Sequence, residues 1–216
     1  MKLLNKIWKN NRSLIVFICL MSVFRSAIAD WYEVPTGSMQ PTIVEGDRIF
    51  TNKMAYDLKV PFTKIPLIKI SQPDRGDIIV FDSQVANKRL IKRVVGIPGD
   101  TVEFKNNFLT INGQHLAYNK LTDSLFSSDI NEDLLGIKHR IRISKQPSDV
   151  QSFDAITIPD GYYLALGDNR DNSADSRAIG LVPHNELLGK ATRVIVSLDY
   201  DDYYFPRKDR YLTKLL

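Results

Sequence analysis

The sequence predicts a mainly β protein, in which a single N-terminal transmembrane helix precedes an antiparallel β-sheet domain with a small inserted subdomain. Three observations carry that expectation. An almost unbroken apolar run over residues 14–24 follows four bases, Lys2, Lys6, Lys9 and Arg12, with no acid before it. Between residues 48 and 198, short aliphatic runs alternate with Gly, Pro, Asn and Asp, the punctuation of strands and turns. Within that series Asn112-Gly113 separates Phe108–Ile111 from residues 114–117, the strongest short-range signal for a hairpin.

The N-terminal segment comes first. Residues 1–12 read as a basic cytoplasmic tip, 13–31 as a membrane anchor and 32–216 as an exported domain, with 105–155 an inserted subdomain or cap. A helix over residues 14–31 would be about 27 Å long at 1.5 Å per residue, enough to cross a bilayer core. The four bases place the tip inside. Arg25 would snorkel to the far interface, and Trp8, Trp31 and Tyr32 would sit at the two headgroup belts. A removable signal peptide is the competing reading, with Ala27-Ile28-Ala29 as its A-x-A cleavage site. Both readings export everything that follows.

Charge and composition then exclude whole classes. The net charge of +4 belongs to the tip; from Asp30 onward 24 bases face 25 acids. A nucleic-acid partner is therefore not expected, since such proteins gather bases on a binding face. Cys19 is the only cysteine, and His115, His139 and His184 form no metal-ligand spacing. No glycine-rich phosphate cradle precedes a helix. The sequence calls for no cofactor and no metal.

The exported part reads as strands in order over residues 48–52, 77–81, 90–96, 101–104, 108–111, 114–117, 162–165 and 190–198. Residues 118–155 are polar and weakly patterned, an insertion or long loop rather than core. Arg75-Gly76-Asp77 reads as a turn ahead of a buried strand, not as an adhesion motif.

Three segments hold more special residues than a turn needs. In Val34-Pro35-Thr36-Gly37-Ser38-Met39-Gln40-Pro41-Thr42 a serine sits on a proline-constrained, non-helical backbone. In residues 90–100, strand alternation sends Lys92 and Arg93 to opposite faces, so one of them should be buried. Residues 167–177 (GDNRDNSADSR) combine two arginines with three aspartates, which implies a hydrogen-bond network at a strand-to-loop corner.

Together with residues 46–53 (GDRIFTNK), 75–81 (RGDIIVF) and 92–100 (KRVVGIPGD), these segments resemble the bacterial type I signal peptidases, or leader peptidases, which are membrane-bound Ser–Lys endopeptidases. The matches stand in family order, and residues 167–177 are the most specific of them. The motifs do not carry the resemblance over residues 105–155 or beyond Ser197. The resemblance implies Ser38 as nucleophile, Lys92 as general base, and Thr36 with the Ser38 N–H as the oxyanion hole. It implies that the Ser173 hydroxyl orients the amine and that Asp175 and Arg177 form an ion pair, with Asp168, Asn169 and Arg93 in the same support. Val34, Pro35, Met39, Leu90 and Ile91 would line shallow substrate pockets. Gln40, where many members repeat a hydrophobe, and the short insertion are departures that leave the dyad untouched. The implied partners are signal-peptide-bearing preproteins and membrane lipid, and the implied place is the bacterial inner membrane, with the catalytic domain on its outer face.

The chemistry asks one thing of Lys92. A serine hydroxyl needs a base, and an amine is a base only when neutral, whereas its ordinary pKa is about 10.4. Desolvation beside Leu90 and Ile91 would lower it. Three other readings compete. A Ser–His–Asp hydrolase would have to use His184, and a self-cleaving repressor would need a DNA-binding module where the apolar run stands. A non-catalytic, membrane-tethered β-domain would bind exported segments without cutting them. Among Ser–Lys peptidases, a specialised relative could process pilin or conjugation substrates.

Overall fold

The computed structural model describes residues 2–146 and 152–215. Helix α1 (Lys2–Ala27) leads directly into β1 (Ala29–Glu33), which pairs antiparallel with β2 (Asp47–Asn52). The expected anchor therefore ends earlier than residue 31. Trp31 and Tyr32 belong to a strand, because Ala29 to Glu33 find backbone partners in β2 that a continuing helix would forfeit. Arg25 does not simply snorkel either. It forms an ion pair with Asp30 at 2.7 Å and lies over the Trp31 ring. Along α1, Leu14, Phe17, Ile18, Leu20 and Phe24 are all exposed. Among the described residues no helix is long and apolar enough to cross a membrane by hydropathy, since Asn10, Asn11, Arg12 and Arg25 bracket a short apolar run.

A two-stranded ribbon, β3 (Asp57–Lys59) and β4 (Pro66–Lys69), stands apart from the main sheet. Then come β5 (Ile78–Ser83) and β6 (Lys88–Gly96), an antiparallel pair with Ile79 opposite Lys92 and Ile78 opposite Arg93. Next are β7 (Thr101–Lys105), β8 (Phe108–Ile111) and β9 (Gln114–His115). The β8–β9 turn is Asn112-Gly113 as expected, both residues at positive φ (52° and 78°), the geometry that matches the twist of the strands. Asn106 and Asn107 (φ 50° and 70°) turn β7 into β8 in the same way.

The described residues of 118–155 are not one long loop. They contain β10 (Ala117–Asp123), β11 (Ser127–Leu134), β12 (Ile137–Ser144) and the start of β13 (Phe153–Thr157), the first three forming one antiparallel sheet. Residues 147–151 of the expected insertion lie outside the described residues. The weak pattern has a physical reason: the fully buried positions of β11 are Glu132 and Leu134, so a charge occupies half of the inward face. Leu134 packs in one cluster with Val95, Phe104, Ile111 and Leu164.

The chain closes with β14 (Tyr162–Leu166), the short helix α2 (Ser176–Ile179), β15 (Val182–Pro183), β16 (Leu187–Asp199) and β17 (Phe205–Pro206). The main sheet runs β1-β2-β16-β5-β6-β14-β15, with β17 on β16, and every pairing is antiparallel. Its centre is covered on both faces: Ile78 and Val80 join one apolar cluster, Ile79 and Phe81 another. For that reason both Lys92 (2% exposed) and Arg93 (0%) are buried, not one of the two. The Arg75-Gly76-Asp77 turn is tied down by Arg75–Asp100 (2.6 Å) and by Tyr56 donating to a buried Asp77 (2.8 Å).

Candidate active site

Ser38 sits on the loop that leaves β1, and the buried side chains of Val34 and Met39 pin that loop to the core formed with Ile43, Ile49 and Val80. Lys92 comes from the middle of β6. Its Nζ donates to Ser38 Oγ at 2.7 Å across a sequence separation of 54 residues. Burial is the main force on this amine and pushes its pKa down to about 8, with the Asp175 and Asp168 charges pulling the other way. Ser38 and Lys92 lie on the floor of an open groove of about 660 Å³, walled by Val34, Pro35, Thr36, Leu90, Ile91 and Ala174. All the expected pocket residues, Val34, Pro35, Met39, Leu90 and Ile91, meet there. Thr36 is exposed on the same wall.

The corner after β14 holds the serine loop from behind. Asn169 grips it twice, through Nδ2 to the Gly37 carbonyl (3.0 Å) and through its N–H to the Ser38 carbonyl (3.1 Å). Its neighbour Asp168 receives both Nε and Nη2 of Arg93 (2.9 and 2.8 Å), and Thr42 Oγ1 donates to it as well (2.5 Å). Burial works to raise the Asp168 carboxyl, yet the Arg93 charge and hydrogen bonds outweigh it and hold the group below the ordinary range. The buried Asp175 carboxyl is likewise held below the ordinary range against the upward push of burial. Arg177 grasps it with Nε and Nη2 (2.8 and 2.7 Å), and the Gly167 N–H adds a third bond (2.9 Å). Asp175 also caps α2, accepting from the Arg177 N–H.

Gly167 is required here by close approach: a Cβ would overlap the Ser173 side chain and the Ser38 carbonyl. Ser173 departs from the expectation. Its hydroxyl is enclosed at this point, near enough to Asp175 to help lower that carboxyl, but it makes no hydrogen bond to Lys92. The amine's side-chain partner is Ser38 itself. His184, the base of the competing hydrolase reading, is engaged elsewhere, 3.0 Å from Asp57 and 3.3 Å from the Tyr163 hydroxyl.

Sequence reasoning missed a second support. Arg170, one residue past Asn169, is buried and pairs through both Nη atoms with Glu132 of β11, which His139 and Tyr118 also approach. Gln40, seen only as a departure from a pattern, accepts from Arg142 of β12 (2.9 Å), and Arg142 is held by Asp129. The arginine in Asp168-Asn169-Arg170 was a visible signal. Its acid partner was not, since nothing in a polar insertion distinguishes Glu132 from its neighbours.

This combination of an antiparallel β scaffold and a buried amine against a serine hydroxyl defines a class, the serine endopeptidases that use lysine in place of histidine. A family model described as "Signal peptidase, peptidase S26" matches residues 7–196, and the chain belongs to that family. The match runs through residues 105–155, where the motifs alone carried no resemblance. The chain is similar to a signal peptidase I of Pseudomonas aeruginosa, 38% identical over 85% of this chain and 69% of that one. It is also similar to a signal peptidase I of Bacillus amyloliquefaciens, 30% identical over 97% of this chain and 91% of that one. A crystal structure of a signal peptidase I from Enterococcus faecalis V583 aligns with 57% of this chain and all of its own, at 30% identity and a TM-score of 0.37.

Proposed function

We propose that this serine endopeptidase removes N-terminal signal peptides from exported preproteins after an A-x-A site, with Ser38 as nucleophile and Lys92 as general base. The observation that carries the reading is the 2.7 Å contact between Lys92 Nζ and Ser38 Oγ at the floor of the groove. In the reactive form the amine is neutral and Ser38 O–H donates to its lone pair. Oγ then attacks the scissile carbonyl carbon while Lys92 takes the proton. The ammonium returns that proton to the departing amine, which frees the mature protein. A water deprotonated by Lys92 hydrolyses the acyl-enzyme and releases the signal peptide. The Ser38 N–H and Thr36 are the donors assigned to the oxyanion, whose preorganised hydrogen bonds are worth about 3–4 kcal/mol apiece.

Substrate binding as an added strand is supported by an open strand edge. Among the described residues β14 pairs with β6 only over Arg93–Gly96, whereas β5 pairs with it from Lys88, so no described strand pairs with the second backbone edge of Lys88 to Lys92. An extended peptide laid there would present alternate side chains to the groove. The apolar walls of Val34, Leu90 and Ile91 suit small apolar residues such as alanine.

We assign α1 as a single-pass anchor in the bacterial inner membrane, with the N-terminus in the cytoplasm. Its support is the basic tip, the exposed apolar side chains of residues 14–24, and the pairing of Arg25 with Asp30, which offsets the one charge near the far end. A gel assay on a preprotein with an A-x-A site tests the activity. Wild type should yield the mature protein, and both Ser38→Ala and Lys92→Ala should yield none. His184→Ala should cleave within a few-fold of wild type; its inactivation with Lys92→Ala still active would overturn the dyad.

A further inference from the structure

Two features that set this chain apart meet behind Ser38: Gln40 and the inserted sheet β10–β12. Gly37 has no side chain, and the space a Cβ would need is filled by the Gln40 amide, whose Nε2 lies 2.9 Å and Cδ 3.1 Å from that point. The Gln40 N–H also donates to the Gly37 carbonyl (3.0 Å). Gln40 therefore braces the Gly37–Ser38 peptide with backbone and side chain together. That peptide carries the N–H assigned above to the oxyanion. Gln40 is not among the residues that wall the groove, so its amide acts on the peptide from behind.

The insertion holds the other end of this amide. Gln40 Oε1 accepts from Arg142 Nη1 (2.9 Å), and Arg142 Nε and Nη2 both donate to Asp129 (2.6 and 2.9 Å), the residue directly opposite on β11. The Arg142 backbone is clamped separately: its N–H donates to the Asp168 carbonyl (2.7 Å), and its carbonyl accepts from the Arg170 N–H (2.9 Å). Strand β12 is thereby fixed to the corner after β14, and one guanidinium reaches from it to the serine loop. A carboxamide has a donor end and an acceptor end. With Oε1 held by a guanidinium, which can only donate, Nε2 is the end left to face Gly37. The Arg142 and Asp129 side chains are 30% and 19% exposed, so their ion pair adds little to stability. What it supplies is direction.

We infer that Arg142 is a positioning residue for the reaction proposed above, with Ser38 as its nucleophile: held by Asp129, it sets Gln40 against Gly37 and so aims the Ser38 N–H at the oxyanion. Oxyanion donors act through preorganisation, and a small misplacement at a reacting centre lowers turnover far more than it weakens binding. The inserted sheet is then part of the active-site support, and Gln40 and the insertion form one device.

The test compares full-chain variants cutting a preprotein with an A-x-A site. Arg142→Ala should lower kcat by about tenfold while KM and Tm stay near wild type. The affinity of an Ala-x-Ala peptide aldehyde should fall by the same factor. In that adduct Ser38 Oγ bonds to the aldehyde carbon, Lys92 takes the hydroxyl proton and the former carbonyl oxygen enters the oxyanion hole. Arg142→Lys keeps the stem and the charge but has no fork to span Asp129 and Gln40, so it should lose kcat in the same way and serves if Arg142→Ala does not fold. In a Gln40→Met background, where no amide needs turning, Arg142→Ala should cause no further loss. Wild-type kcat in either folded Arg142 variant overturns the inference. So does a kcat loss with unchanged aldehyde affinity, or a loss of equal size in the Gln40→Met background. Cleavage by Ser38→Ala overturns the Ser–Lys reading itself, and the inference with it.

Discussion

An ordinary lysine keeps its proton up to about pH 10, and Lys92 gives it up near pH 8 because it is only 2% exposed. The fall from 10.5 to about 8 is worth roughly 3 kcal/mol at 1.36 kcal/mol per unit. Below pH 8 the folded and unfolded states both carry the proton, and the full cost of a buried cation falls on the fold. Between pH 8 and 10.5 the folded state is neutral while the unfolded state is still protonated, so stability rises with pH across that window. Two outcomes follow at this scale. Cleavage should rise with pH along a limb centred near 8, measured as kcat/KM on a model preprotein. Lys92→Met should abolish cleavage yet raise stability at pH 7, by up to about 3 kcal/mol in urea unfolding, with the gain shrinking above pH 8. A variant less stable than wild type at pH 7 would count against the amine as a desolvated base.

The corner after β14 carries the serine loop at the scale of elements. Asn169 bonds to the carbonyls of both Gly37 and Ser38, and Asp168 locks Arg93, the residue next to Lys92. One corner thus sets the loop of Ser38 and the strand of Lys92 together. Asn169→Ala removes one buried side-chain bond, at a stability cost of about 1–2 kcal/mol, and should lower kcat more than it changes KM. Asp168→Asn leaves Arg93 buried without its carboxylate and should cost about 3–5 kcal/mol, visible as a large drop in Tm. Arg170 and Glu132 extend the same support to β11, so Glu132→Gln should loosen the corner by a comparable amount.

On the scale of the whole molecule, the proposed reading gives α1 the task of place and the β sheet that of chemistry. Arg25, Asp30, Trp31 and Lys53 form the joint between them, with Lys53 Nζ bonded to the Arg25 carbonyl (2.8 Å) at the helix end. A cation there also complements the helix dipole. The full chain should remain in the membrane pellet after alkaline carbonate extraction and retain its N-terminal methionine region. A purified chain beginning at Asp30 would instead show that Ala27-Ile28-Ala29 is cut and that α1 is a removable leader.

Sequence alone marked several strands of the main sheet, the Asn112-Gly113 turn and the residues proposed to carry the chemistry, because alternation, turn residues and a dense polar motif are local signals. It located Ser38, Lys92, Asp168, Asn169, Asp175 and Arg177 without their geometry. Tertiary structure decided what depends on long-range contact. It ended the helix at Ala27 by offering β1 a partner in β2, and it buried Arg93 as well as Lys92 by covering both faces of the sheet. It turned the polar stretch 118–155 into a sheet whose Glu132 answers Arg170. A charge buried against a distant charge leaves no apolar period in the sequence, and that is why only the folded chain could reveal it.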